Sequence, residues 1–134
     1  MENKKAITFS YDDGTLQDIR LVEIFNKYNI KCTFNLNSQL FGLKNELSRD
    51  RGIHIRHDKV NAADVKHIYD GHEVAVHTLT HPNLVALSDD DIVREVEQDR
   101  IALSELCGYE AGIPGGKAVQ SDKALIPPMR PPGK

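Results

Sequence analysis

Three short extended stretches, each followed by a helical pattern, run in order along the first 110 residues of this 134-residue chain. Ala6 to Tyr11 alternates, with Ile7, Phe9 and Tyr11 on one face and Ala6, Thr8 and Ser10 on the other. Asp12-Asp13-Gly14 ends that run. Thr15 with Asp18 predicts a helix start of the capping-box kind, and Leu16, Ile19, Leu21, Val22, Ile24, Phe25 and Tyr28 give the helix its apolar face. Cys32 to Leu36 reads as a second strand. Asn61 opens a short helix through Tyr69, stopped at Gly71, where a left-handed residue is wanted. Glu73 to Val76 is the third strand. Ser88 with Asp91 starts the longest helix, with Ile92, Val96, Leu103 and Leu106 as its core side and Gly108 as its end. Strands separated by crossover helices run parallel, which predicts an α/β domain of about three strand-helix units over residues 1–110.

Two stretches fall outside that rhythm. Asn37 to Lys59 shows neither period and reads as a long loop, of a length that is usually functional or mobile. Residues 111–134 hold five of the six prolines and read as an irregular Pro/Gly-rich tail, truncated or non-native in origin.

Charge and composition narrow the partners. The chain carries 17 Lys+Arg against 20 Asp+Glu, a net −3 with neutral histidines. An acidic surface without a Lys/Arg block offers no electrostatic footprint for a phosphate backbone, so nucleic acid is excluded as a partner. No apolar run approaches the roughly 20 residues that cross a bilayer, so no membrane partner is expected. Met1 to Lys5 lead into the first strand with no apolar signal core. That predicts a cytoplasmic protein, although a secreted parent with its leader trimmed would read the same. Cys32 and Cys107 lie far apart among apolar residues and read as buried thiols.

In a parallel α/β domain, reactive groups gather at the C-terminal ends of the strands. Two polar clusters fall there. Asp12-Asp13-Gly14 follows the first strand, and His77-Thr78-Leu79-Thr80-His81 follows the third. Parallel strands bring both clusters to one side of the sheet. Two histidines at i and i+4 on a helical turn face the same way and suit one metal ion. A carboxylate would complete a three-ligand site with open positions. Of the two adjacent acids, one can bind metal while the other takes a proton. The other histidines rank lower: His72 precedes a strand and belongs at the opposite edge, His67 sits on the short helix, and His54 and His57 sit in the long loop.

Thr8-Phe9-Ser10-Tyr11-Asp12-Asp13-Gly14 followed by His77-Thr78-Leu79-Thr80-His81 resembles the polysaccharide deacetylase family, the NodB-homology carbohydrate esterases. The family's first motif reads Thr-Phe-Asp-Asp-Gly, with Tyr11 here in place of the Phe. Its second, His-Ser/Thr-x-x-His, is matched at every fixed position. The resemblance covers about residues 5–110 and implies a partial (β/α) barrel of that type. It also implies a hydrolase that uses a divalent metal, Zn²⁺ first among candidates, to remove acetyl groups from a carbohydrate such as a chitin oligomer, peptidoglycan or xylan. Carried over by position, Asp13, His77 and His81 hold the metal, and Asp12 is the catalytic base.

The departures carry their own expectations. The family's later Leu-x-His motif supplies an acid for the leaving amine, yet no histidine follows His81. Its Arg-Pro-Gly motif is echoed only in part, by Arg130-Pro131-Pro132-Gly133, and Gly112 to Gly116 lacks the arginine. Two alternatives therefore stand beside the deacetylase: a metal-binding but catalytically inactive fragment, and a non-haem iron enzyme built on the same two-His, one-carboxylate set. Three strand-helix units would also leave an open edge at the third strand, which predicts self-association. Should the chain prove fully active, a loop histidine, His54 or His57, becomes the group to test as the acid.

Overall fold

The computed structural model describes residues 4–112. The expectations for 113–134, including the Arg130 echo, lie outside them. Three parallel strands form the sheet in the order β1 (Ser10–Asp12), β2 (Thr33–Leu36) and β5 (Glu73–Val76). Helix α1 (Gln17–Lys27) links β1 to β2. A 3₁₀ turn (Ala62–Asp64) running into α2 (Val65–Ile68) precedes β5, and α3 (Asp89–Cys107) follows it.

The core lies between sheet and helices. Phe34, Leu36, Val74 and Val76 from the strands meet Val22 and Phe25 of α1, Val65 and Tyr69 of the α2 region, and Leu103 and Cys107 of α3. Complete burial of side chains such as Phe34, Leu36 and Leu103 (each 0% exposed) contributes about 1.5–3 kcal/mol apiece. Cys32 and Cys107 are both buried free thiols, as their settings predict, and burial pushes the Cys32 thiol up to about 12.

The first strand is shorter than its alternation suggests. Ile7 stands 80% exposed; Phe9 packs inward against Phe25, and Tyr11, although 41% exposed, lays its ring against Phe25 and Phe34. Among the described residues β1 has a partner only on its β2 side, so pairing stops where β2 stops. The open edge is therefore at β1. The third strand, expected to be the exposed flank, is partly covered: Ala75 bridges to Gly112, with Val76 N–H donating to Gly112 O at 2.8 Å and Gly112 N–H donating to Val74 O at 3.1 Å.

Residues 37–59 are not an unstructured loop. A 3₁₀ turn (Ser38–Leu40) leads to an antiparallel hairpin of β3 (Glu46–Arg49) and β4 (Ile53–Arg56), reversed through Arg51 and Gly52 at φ 70° and 69°. Ile53-His54-Ile55-Arg56 does alternate, but over four residues only and with both isoleucines exposed, so no buried face sets this strand apart from a loop.

The helix starts divide. Ser88 caps α3 as predicted, its Oγ accepting from Asp91 N–H at 3.2 Å, and Gly108 ends it in the left-handed region at φ 75°. Thr15 does not cap α1; it bridges Lys59 instead, and Asp18 turns inward to accept a 2.6 Å hydrogen bond from the Tyr69 hydroxyl. Asn61 makes no backbone cap, and its Nδ2 donates to Asp64 at 3.4 Å.

Burial pushes Asp18 from an ordinary 3.8 up to about 6, against the opposing pull of the Tyr69 hydrogen bond and the Lys59 charge. A carboxyl raised in the fold contributes most below its unfolded value, and that contribution is lost as pH rises through the folded value. Between about pH 4 and 6 the wild-type chain should therefore lose up to about 3 kcal/mol from this group. Urea unfolding across that window should show the loss in the parent and not in Asp18→Asn. Parallel pH profiles for the two would refute the assignment.

Candidate metal centre

The polar ends of β1 and β5 meet on one side of the sheet. Asp13 follows β1 at φ 79°, and its backbone N–H donates to Asn35 O at 2.9 Å. That conformation, uncommon for a residue with a Cβ, turns the carboxyl toward the β5 end. His77 Nε2 and His81 Nε2 lie 3.3 and 3.5 Å from Asp13 Oδ1. One ligand atom from each of the three residues falls within 4.8 Å of the others. Asp13 Oδ1 is buried with no hydrogen-bond partner. A buried carboxylate oxygen left unmatched is costly, and one facing two imidazole nitrogens is a donor set that fits a divalent transition ion.

The two histidines do not sit on a helical turn. Residues 77–81 form a loop with Thr78 and His81 in the left-handed region, at φ 72° and 55°. Their rings nevertheless meet, with centroids 5.0 Å apart. Side chains from outside hold the loop. Asn37 Nδ2 donates to His77 O at 2.6 Å and to Thr78 O at 2.9 Å. Glu95 accepts from Thr80 N–H at 2.9 Å and from its hydroxyl at 3.0 Å. Asp99, 0% exposed, accepts from Ser38 N–H at 2.7 Å and His77 N–H at 3.0 Å.

These two acids are the part of the site that sequence patterning missed. The buried face of α3 is Glu95, Asp99, Leu103 and Cys107, with Val96 partly buried beside it, and not the purely apolar row of Ile92, Val96, Leu103 and Leu106. The signal was there: two acids in step with Leu103 and Cys107 at four-residue intervals. Desolvation raises the Asp99 carboxyl above its usual range, and the hydrogen bonds from Ser38 and His77 pull it back down. Asp99→Ala would strand the Ser38 N–H in the interior and leave the His77 N–H with its remaining acceptor, Leu36 O at 3.0 Å. It should cost about 1–3 kcal/mol in urea unfolding; a loss under about 0.5 kcal/mol, the range of an ordinary surface change, would show that these bonds carry no weight.

Asp12, the last residue of β1, is exposed, and its Oδ1 accepts from Asn35 Nδ2 at 2.8 Å. It lines an open cavity of about 560 Å³ with Tyr11, Thr15, Leu21, Ile24 and His57. Of the other histidines, His72 is a buried structural residue: its Nδ1 accepts from Cys32 N–H and its Nε2 contacts Asn26 Oδ1 at 2.7 Å. His67 is exposed on α2, and His54 pairs with Glu46 at 2.8 Å on the hairpin. His57 alone of the lower-ranked group reaches the centre, 3.4 Å from Asp13 Oδ2.

Fold and site together define an α/β domain with a candidate metal centre at the C-terminal ends of its parallel strands. The family model for polysaccharide deacetylases matches residues 1–118, and the chain belongs to that family. Among solved structures, it is similar to Streptococcus pyogenes deacetylase PplD in complex with acetate, at 21% identity and a TM-score of 0.64 over 81% of this chain and 44% of that one. It is also similar to a family 4 acetyl xylan esterase from Clostridium thermocellum in complex with a cobalt ion (20% identity, TM-score 0.55, 80% and 46%). The chitin deacetylase of Colletotrichum lindemuthianum gives 23% identity and a TM-score of 0.53 over 75% and 40%. The chain spans less than half the length of each. A search of curated protein sequences returned no match.

Proposed function

We propose that the chain carries the metal and base half of a metal-dependent carbohydrate deacetylase, on strand-helix units equivalent to the first part of a (β/α) barrel. One observation carries this reading: the orphaned, buried Oδ1 of Asp13 facing two histidine nitrogens, with a second acid beside it. Asp13, His77 and His81 would hold the ion. A divalent ion there supplies polarisation of an acetyl carbonyl and acidification of a water, as catalytic zinc does. Asp12 acts as general base on the attacking water, its carboxyl fixed by Asn35 so that the free oxygen meets the cavity. Tyr11, Leu21 and Ile24 give that cavity an apolar wall against which a sugar ring or acetyl methyl can lie.

The deacetylases and the esterase that the chain resembles support an acetylated glycan as the substrate, and the cobalt of one relative agrees with a site open to several divalent ions. Acetate release from acetylated xylan and chito-oligosaccharides should vanish on chelation and return with Zn²⁺ or Co²⁺. Asp12→Asn should lower the restored rate by about 10²–10⁴-fold while leaving ion affinity in place. Turnover unaffected by either treatment would refute the reading.

A further inference from the structure

The segment that carries the β3–β4 hairpin is clamped to the metal centre by main-chain bonds. Leu16 N–H donates to Asp58 O and Val60 N–H to Gly14 O, both at 2.9 Å. His57 N–H donates to Asn45 O, and Lys59 N–H to Leu43 O, both at 2.8 Å. Lys59 Nζ donates to Asp13 O at 2.8 Å from the same side. The His57 ring is thereby delivered to one place: its side chain is 19% exposed, with Nε2 3.4 Å from Asp13 Oδ2. The opposite nitrogen, Nδ1, is buried with no partner.

That pairing decides the tautomer. A buried N–H without an acceptor is rarer and costlier than a lone pair without a donor. The neutral ring therefore carries its proton on Nε2, the nitrogen that faces Asp13. The two oxygens of Asp13 are consequently divided. Oδ1 faces His77 and His81, and Oδ2 faces His57.

We propose that His57 is a positioning residue of the metal centre, whose Nε2–H holds Asp13 Oδ2 and so turns Oδ1, and only Oδ1, toward the ion. The inference rests on the metal-site reading above and adds a third histidine to it, brought by the β3–β4 hairpin. Partners of this kind orient a ligating carboxylate, and their loss costs about 10–100-fold in ion affinity without abolishing binding.

The test is Zn²⁺ titration by calorimetry at pH 8, on the parent and on His57→Ala and His57→Gln chains, with His57→Asn in reserve if the alanine chain does not fold. The alanine or asparagine chain should bind about 10–100-fold more weakly, and glutamine, whose amide reaches as far as Nε2, should hold affinity within about threefold of the parent. Nitrogen-15 shifts of the metal-free His57 ring should report the Nε2–H tautomer. Parent-like affinity in His57→Ala, a glutamine chain as weak as alanine, or an Nδ1–H ring would each overturn the proposal. So would a loss in His57→Ala as complete as in His77→Ala, which would make His57 a ligand itself. A parent that binds no Zn²⁺ would instead overturn the metal-site reading, and this inference with it.

Discussion

His81→Ala is expected to weaken Zn²⁺ binding by more than the roughly 10–100-fold that an outer partner costs, because it removes one of only three protein ligands. His81 is the most exposed of the three, at 55% of its side chain, so its removal disturbs the fold least and the loss reads directly on the ion. His72→Ala supplies the contrast. That ring is held between Cys32 N–H and Asn26 Oδ1, at the N-terminal end of β5, opposite the end that carries the centre. Its loss should lower the unfolding midpoint and leave Zn²⁺ affinity unchanged. Acidification should weaken the parent, since imidazole binds metal in its neutral form. Equal affinity of parent, His81→Ala and His72→Ala chains in calorimetry would refute the ligand assignment.

The second large effect separates amides from esters. Hydrolysis of an N-acetyl group needs the amine protonated as it leaves, whereas a phenolate leaves an aryl acetate without a proton. The resemblance assigns that proton to a histidine of a later motif, and no histidine follows His81 here. A polypeptide of this sequence should therefore release acetate from chito-oligosaccharides at least about 10²-fold more slowly than a family member that has the motif. Its deficit on 4-nitrophenyl acetate should be much smaller. Comparable deficits on both substrates would place the defect in ion or substrate binding, and ordinary rates on the amide would make His57 the acid to examine, since it is the histidine nearest Asp13 outside the ligand set.

What the sequence made legible follows from which signals are local. Each strand end is announced by its own residues, Asp12-Asp13-Gly14 and His77, and parallel pairing of β1, β2 and β5 then brings those ends together. The caps succeeded where the side chain had no competing partner, as at Ser88, and failed where tertiary contacts claimed it. The Asp18 side chain is drawn to Tyr69, and the Thr15 backbone is held in a bridge to Lys59. The hairpin was hidden because Leu47, Ile53 and Ile55 bury too little to enforce a period of two. Glu95 and Asp99 were hidden for the opposite reason: acids on a helix read as its wet face, and only the N–H groups of His77, Thr80 and Ser38 explain their burial. His57 combines both cases. Its segment lacked a pattern, and its partner, Asp13, is distant in sequence.

Anomalous diffraction from a crystal grown with Zn²⁺ would locate an ion held by Asp13, His77 and His81. One strong peak is expected at the C-terminal ends of β1 and β5. It should lie about 2.0–2.2 Å from Asp13 Oδ1 and from the two histidine nitrogens, with Oδ2 turned to His57. A peak elsewhere, such as between His54 and Glu46 on the hairpin, or no peak at a saturating concentration, would contradict it.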